Sequence, residues 1–104
     1  MLTEADFQRQ IVELAELFGW RVMHVHPLRT KDGWRTPTSH VGWPDLTLWR
    51  PPHLICWEVK TDRGRLTDMQ ERTLDELQAC GITAAVVRPR DWETIETTLR
   101  RRTR

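Results

Sequence analysis

The sequence predicts an α/β domain with three helices and four strands. Three observations point to it. An amphipathic helix with apolar spacing of three and four residues opens the chain. Two short apolar runs, Leu46-Thr47-Leu48-Trp49 and Leu54-Ile55-Cys56-Trp57, flank a Pro-Pro turn and read as a β-hairpin. A strand, a helix and a further strand then follow in that order, which favours a right-handed crossover with the last two strands parallel.

The 104 residues fit one domain over residues 1–104, with a basic tail from about residue 100. A hydrophobic content of 38% and a charged content of 30% suit a soluble globular protein. No apolar run approaches the roughly 20 residues of a membrane span, and the N-terminus carries no basic-then-apolar signal pattern. The expected location is the cytoplasm, that of the host if the chain is phage-encoded, with no membrane partner. Two cysteines, Cys56 and Cys80, make no disulfide framework and lack zinc-finger spacing, so both are expected as reduced thiols in or near the core. The net charge of +1 does not by itself announce a nucleic-acid binder. Basic residues do cluster, as Arg29, Lys31 and Arg35, as Arg63 and Arg65, and in the C-terminal tail. Of six tryptophans, Trp34 and Trp43 fall in loops, available to a ligand.

In the first helix, capped by Thr3, the residues Phe7, Ile11, Leu14, Ala15 and Phe18 share a stripe, and Gly19 stops it. At about 100° per residue, Glu4 falls within that stripe and Glu13 opposite it. Glu4 is therefore expected to face the core or a cleft, and Glu13 water. Residues 20–26 alternate as a strand, partly buried on both sides and ended by Pro27. Residues 28–41 carry no period and read as a long loop. Gly42-Trp43-Pro44 then stiffens the approach to Asp45, placed at the first position of the second strand, 45–49. The third strand, 54–60, puts Glu58 and Lys60 on one face. A hairpin closing at Pro51-Pro52 brings Asp45 beside Glu58 and Lys60.

Thr67 caps a second helix, 68–80, whose apolar members are Met69, Leu74, Leu77 and Cys80, with Gln70 on its first turn. The run Ala84-Ala85-Val86-Val87 suggests a central strand, 82–87, and Asp91 caps a last helix through Trp92, Ile95 and Leu99.

Hydrolysis of a phosphodiester needs a divalent cation, acidic oxygens to hold it and a positive group near the attacking water. Asp45 and Glu58 supply hard ligands for Mg²⁺ or Mn²⁺, and the Val59 backbone carbonyl between Glu58 and Lys60 adds another. Lys60 can orient the water and help deprotonate it. Glu4 can complete the acidic cluster, directly or through water. Taken alone, Glu58-Val59-Lys60 would equally suit a salt bridge on a hairpin.

Pro44-Asp45 followed by Glu58-Val59-Lys60 resembles the PD-(D/E)XK nuclease superfamily. With Thr3-Glu4-Ala5-Asp6-Phe7-Gln8, Gly19-Trp20-Arg21-Val22, Gly42-Trp43-Pro44-Asp45-Leu46 and Arg63-Gly64-Arg65-Leu66-Thr67 leading to Gln70, the chain more narrowly resembles a stand-alone phage or bacterial VRR-NUC domain, the virus-type replication-repair nuclease module. The resemblance runs from about residue 3 to residue 95. It implies a restriction-endonuclease-like core, in which a mixed four-stranded sheet is flanked by helices. It implies Asp45 and Glu58 as the metal-binding pair, Lys60 as the catalytic lysine, Glu4 as the helix-one acid and Gln70 as a supporting residue of the site. It further implies a homodimer that cuts branched DNA, a Holliday junction or a flap, with Mg²⁺ or Mn²⁺. DNA contacts would then fall to Arg29, Lys31, Arg35, Arg63 and Arg65. Two alternatives are a non-catalytic DNA-binding or accessory module and a sequence-specific restriction-type endonuclease, for which 104 residues leave little room for a base-reading element.

Overall fold

A computed structural model describes residues 2–25, 28–35 and 38–101. Helix α1 (Glu4–Leu17) leads to β1 (Arg21–His24), then to a short pair, β2 (Leu28–Thr30) and β3 (Gly33–Arg35). The hairpin β4 (Leu46–Arg50) and β5 (His53–Val59) follows, then α2 (Asp68–Ala79), β6 (Thr83–Val87), a 3₁₀ turn (Pro89–Asp91) and α3 (Trp92–Arg100). The main sheet has the order β1-β4-β5-β6. Its first three strands are antiparallel neighbours, whereas β5 and β6 are parallel, joined by the α2 crossover. The predicted α/β class and mixed four-stranded sheet are thus present.

Strand parity divides the sheet into two working faces. Leu46, Leu48, Ile55, Trp57, Val59 and Val87 meet Phe7, Ile11 and Ala15 of α1 and Ile95 and Leu99 of α3. On the other face Cys56 and Ala84 meet Leu74 of α2, with Leu66, Leu77 and Ile82 around them. Cross-strand register puts Thr47 opposite Cys56 and Glu58 beside Val86, so Glu58 continues the α2 face beyond its apolar patch.

Several expectations need correcting. Residues 28–35 form a hairpin rather than an unstructured loop. Nothing in the apolar pattern signals it, because its β3 residues are all exposed. It is held by pairing and by Thr30, whose hydroxyl donates to the Gly33 carbonyl at 2.8 Å and accepts the Asp32 amide at 3.3 Å. The strand β6 lies at the sheet edge, not its centre. Its apolar run reflects helices on both faces rather than strands on both sides. Strand β1 is the other edge and exposes Arg21 and Met23. Its predicted end at His26 and Pro27 lies outside the described residues. Asp45 precedes β4, and Lys60 follows β5, by one residue each. Asp91 does not cap α3; its carboxylate accepts the Arg88 amide at 2.9 Å within the 3₁₀ turn. Cys56 is buried as expected, but Cys80 is exposed at the end of α2, and Met69 is exposed as well. Arg100 is the last residue of α3, paired with Glu96 and stacked over Phe18. Residues 102–104 lie outside the described residues.

At the end of the sheet away from Asp45, Arg50 ties three elements together. Its guanidinium donates to the carbonyls of Phe18 at 2.7 Å, Leu99 at 3.3 Å and Arg101. It also lies 4.7 Å from the Trp20 ring centroid. The Trp20 indole N–H donates to the same Leu99 carbonyl at 2.8 Å. A cation at two helix C-termini satisfies carbonyls that have no partner within their helix and complements the helix dipoles. Arg50→Ala is expected to lower stability by roughly 2–4 kcal/mol in urea unfolding, with Arg50→Lys recovering only part. Arg9→Ala, which removes an exposed pair with Asp6, should leave it essentially unchanged.

Candidate active site

The approach to Asp45 is docked on α2. Gly42 has φ +107, and a Cβ there would come within 2.6 Å of the Met69 Cγ and 3.2 Å of the Met69 backbone. Only glycine permits both the backbone angle and that close approach. The Thr73 hydroxyl donates its one proton to the Met69 carbonyl at 2.8 Å. His40 Nε2, 2.9 Å from the same hydroxyl, is therefore the donor in that contact. The Trp43 indole donates to Thr47 at 3.2 Å, and Pro44 is fully buried. The chain enters β4 with little freedom left.

Because Leu46 pairs with Trp57, one step further sets Asp45 against Glu58. The Asp45 carboxylate accepts the Val59 amide at 2.9 Å, and its backbone carbonyl accepts the Val25 amide at 3.4 Å. Asp45 is thus fixed between the ends of β1 and β5. In an extended strand the N–H and C=O of one residue point to the same edge. The Val59 carbonyl is accordingly directed to the Asp45 side, whereas the next amide, that of Lys60, turns to β6 and donates to Val87 at 3.1 Å.

Glu58 is only 2% exposed. Gln70 Nε2 lies 3.4 Å from its carboxylate, and Lys60 Nζ lies 3.9 Å away. Gln70 is oriented by a capping box: its amide oxygen accepts the Thr67 amide at 2.9 Å, and the Thr67 hydroxyl accepts the Gln70 amide at 3.1 Å. That leaves the Gln70 NH₂ free for Glu58. Burial, then hydrogen bonding and charge repulsion from Asp45, push the Glu58 carboxyl up to about 9, against the opposing pull of Lys60. Glu4, at the start of α1, is exposed as a residue, but its carboxyl is partly withdrawn from water and its pKa is raised. Lys60 and Asp45 act on it with opposite sign, so it shares their electrostatic field. Glu4 lines a cleft of about 730 Å³ together with Gln8, His24, Val25 and Asp45.

Two acidic side chains side by side, one of them buried, are costly together as anions. A hard divalent cation between them would remove that cost and suits their oxygens. The donor set is thus of the hard-oxygen kind that suits a divalent cation. Among the described residues no group of three His, Cys, Asp or Glu side chains is gathered to hold a metal by itself. Asp45 and Glu58 are neighbouring acids, and Glu4 is linked to them through the shared electrostatic field.

Of the basic residues, Arg29, Lys31 and Arg35 are exposed on the β2–β3 hairpin, and Arg63 and Arg65 are exposed after Lys60. Sequence reasoning missed Arg88, which holds the latter loop by donating to the carbonyls of Thr61 at 2.7 Å and Gly64 at 2.6 Å. It also missed His40 and Thr73. No periodic or motif signal marks these contacts, since each joins residues more than twenty positions apart.

A carboxyl raised in the fold favours its neutral form. The contribution of Glu58 to stability is full below its ordinary value of 4.5 and is lost as pH rises towards about 9. In EDTA, Glu58→Gln should therefore exceed the wild type in stability at pH 8.5 by roughly 1–3 kcal/mol, with the gap closing near pH 4.5. Urea unfolding at the two pH values checks this.

The VRR-NUC domain family matches residues 31–91, more than half of the chain. The matched segment carries Asp45, Glu58, Lys60 and Gln70 and leaves out α1 with Glu4. No curated protein matches the chain.

Proposed function

The chain belongs to the VRR-NUC domain family, a nuclease family, and we propose that it is a divalent-metal-dependent DNA endonuclease, selective for branched DNA such as a Holliday junction or flap. The observation that carries this reading is the contact of Asp45 with buried Glu58, with Lys60 on the same strand face. Asp45, Glu58 and the Val59 carbonyl would hold Mg²⁺ or Mn²⁺. Such an ion supplies Lewis-acid polarisation of the scissile phosphate and a more acidic water.

The other roles fall to the chain's own groups. The Lys60 ammonium orients the attacking water and offsets the charge that gathers on the phosphate. Gln70 keeps the Glu58 carboxylate aimed, its own rotation stopped by the capping box. Glu4 accepts a hydrogen bond from water at the cleft mouth. Arg29, Lys31, Arg35, Arg63 and Arg65 contact DNA phosphates.

The protein acts as one domain and, in this reading, as a homodimer. Met23, Trp49 and Leu54 support the latter, being exposed apolar residues on the part of the sheet face beyond α2. Among the described residues no helix is long and apolar enough to cross a membrane, and a cytoplasmic site of action is proposed.

The test is a titration of Mg²⁺ and Mn²⁺ against a labelled four-way junction, a flap and a linear duplex. Cutting is expected on the branched substrates. Asp45→Ala and Lys60→Ala should each reduce it by at least about 10²-fold while binding persists. Gln70→Ala should raise the metal concentration required by roughly 10- to 100-fold. Binding without cleavage at any metal concentration would instead make the chain a DNA-binding module. A fixed sequence at the cut ends from a random substrate would indicate a restriction-type enzyme.

A further inference from the structure

We propose that Trp34, on the β2–β3 hairpin, is a base-stacking contact that seats an unpaired nucleobase at a DNA branch or a single-strand–duplex junction. The proposal rests on the reading of the chain as a DNA nuclease and names how it would recognise its substrate.

Trp34 is 67% exposed, one of the most exposed large apolar side chains among the described residues. An indole left in water is unfavourable by the hydrophobic effect, and the β3 residues on either side of it are exposed as well. The hairpin forms its own two-stranded sheet, apart from the main one. Trp34 is therefore not explained as core.

Its neighbours say what covers it. Trp34 is the direct cross-strand partner of Arg29, so the two side chains share one face of the ribbon. Arg35 lies next to it on the opposite face, and Lys31 sits in the turn. Three exposed cations stand against one carboxylate, Asp32. An aromatic plane bordered by cations matches a nucleobase bordered by phosphates. A protein partner with a plain apolar patch would gain nothing from those cations, and a bare phosphate would gain nothing from the indole.

The hairpin is also tethered to the site. The Val25 amide donates to the Asp45 carbonyl at 3.4 Å, so the excursion that carries Trp34 leaves and returns at the acidic residue itself. Trp34 follows Val25 by nine residues. A fully extended chain of that length spans at most about 30 Å. At about 3.4 Å per nucleotide of one strand, the stacked base lies within roughly nine nucleotides of the scissile phosphate. Stacking needs a base whose face is open, which a branch or a frayed end offers and an intact duplex does not.

The experiment measures binding in EDTA, where no cutting occurs. The substrates are a forked duplex with a single-stranded arm, the same fork carrying 2-aminopurine at the first unpaired position, and an intact duplex of equal length. Trp34→Ala is expected to weaken fork binding by roughly 5- to 100-fold and to change duplex binding by less than about 2-fold. Trp34→Phe should recover most of the fork affinity. Wild-type protein should quench the 2-aminopurine, and Trp34→Ala should not. Replacing Arg29, Lys31 and Arg35 together by alanine should instead weaken fork and duplex alike and make the salt dependence shallower by up to about 3 in log–log slope. Equal loss on fork and duplex for Trp34→Ala, an unchanged fork affinity, or a change of oligomeric state on that substitution would each overturn the proposal while leaving the nuclease reading intact. A wild type that binds none of these DNAs would overturn both.

Discussion

Glu58, next to last in an apolar strand, is a buried carboxyl set against a second one, Asp45, and much of the surrounding structure answers to that contact. Its burial is enforced by β5, whose residues from Ile55 to Val59 are all buried. The Asp45 carboxylate cannot swing away, because it accepts the Val59 amide. The backbone of Asp45 cannot drift, because Val25 holds it from β1. What remains is an electrostatic strain that a proton bound to one carboxylate, or a cation, can relieve. The surrounding groups are arranged to hold the two acids rather than to neutralise them, with Lys60 as far as 3.9 Å from the buried carboxylate.

The helix α2 serves both acids. On one flank its Gln70 reaches Glu58. On another, Met69 and Thr73 receive Gly42 and His40 from the segment that delivers Asp45. A movement of α2 would disturb both carboxyls together, so their separation is coupled to one rigid element. The opposite end of the sheet has the reverse electrostatic character. There a cation, Arg50, gathers carbonyls from α1, α3 and the segment after α3. Stability is concentrated where Arg50 sits, and the unfavourable charge is concentrated where chemistry is proposed. Such a division is common where a site is held at some cost by a stable frame.

Much of this was legible in the sequence. The pairing of Asp45 with Glu58 followed from the hairpin length about Pro51-Pro52, and the shared face of Glu58 and Lys60 from strand parity. Both depend on local geometry, which a sequence carries directly. The β2–β3 hairpin was not legible, because residues 29–35 are exposed and such a ribbon needs no apolar alternation. The edge position of β6 was not legible either. Helices on both faces and strands on both sides bury a strand alike, and the sequence records only burial. The roles of Arg50, Arg88 and His40 depend on carbonyls and hydroxyls distant in the chain, which no short pattern specifies.

The central claim is that Asp45 and Glu58 together form a divalent-cation site. Isothermal titration of the DNA-free protein with Mn²⁺ tests it most directly. The expected result is saturable binding that Asp45→Asn and Glu58→Gln each weaken by at least about 10-fold, with a smaller effect from Glu4→Gln. Undiminished Mn²⁺ binding in both Asp45→Asn and Glu58→Gln would contradict it.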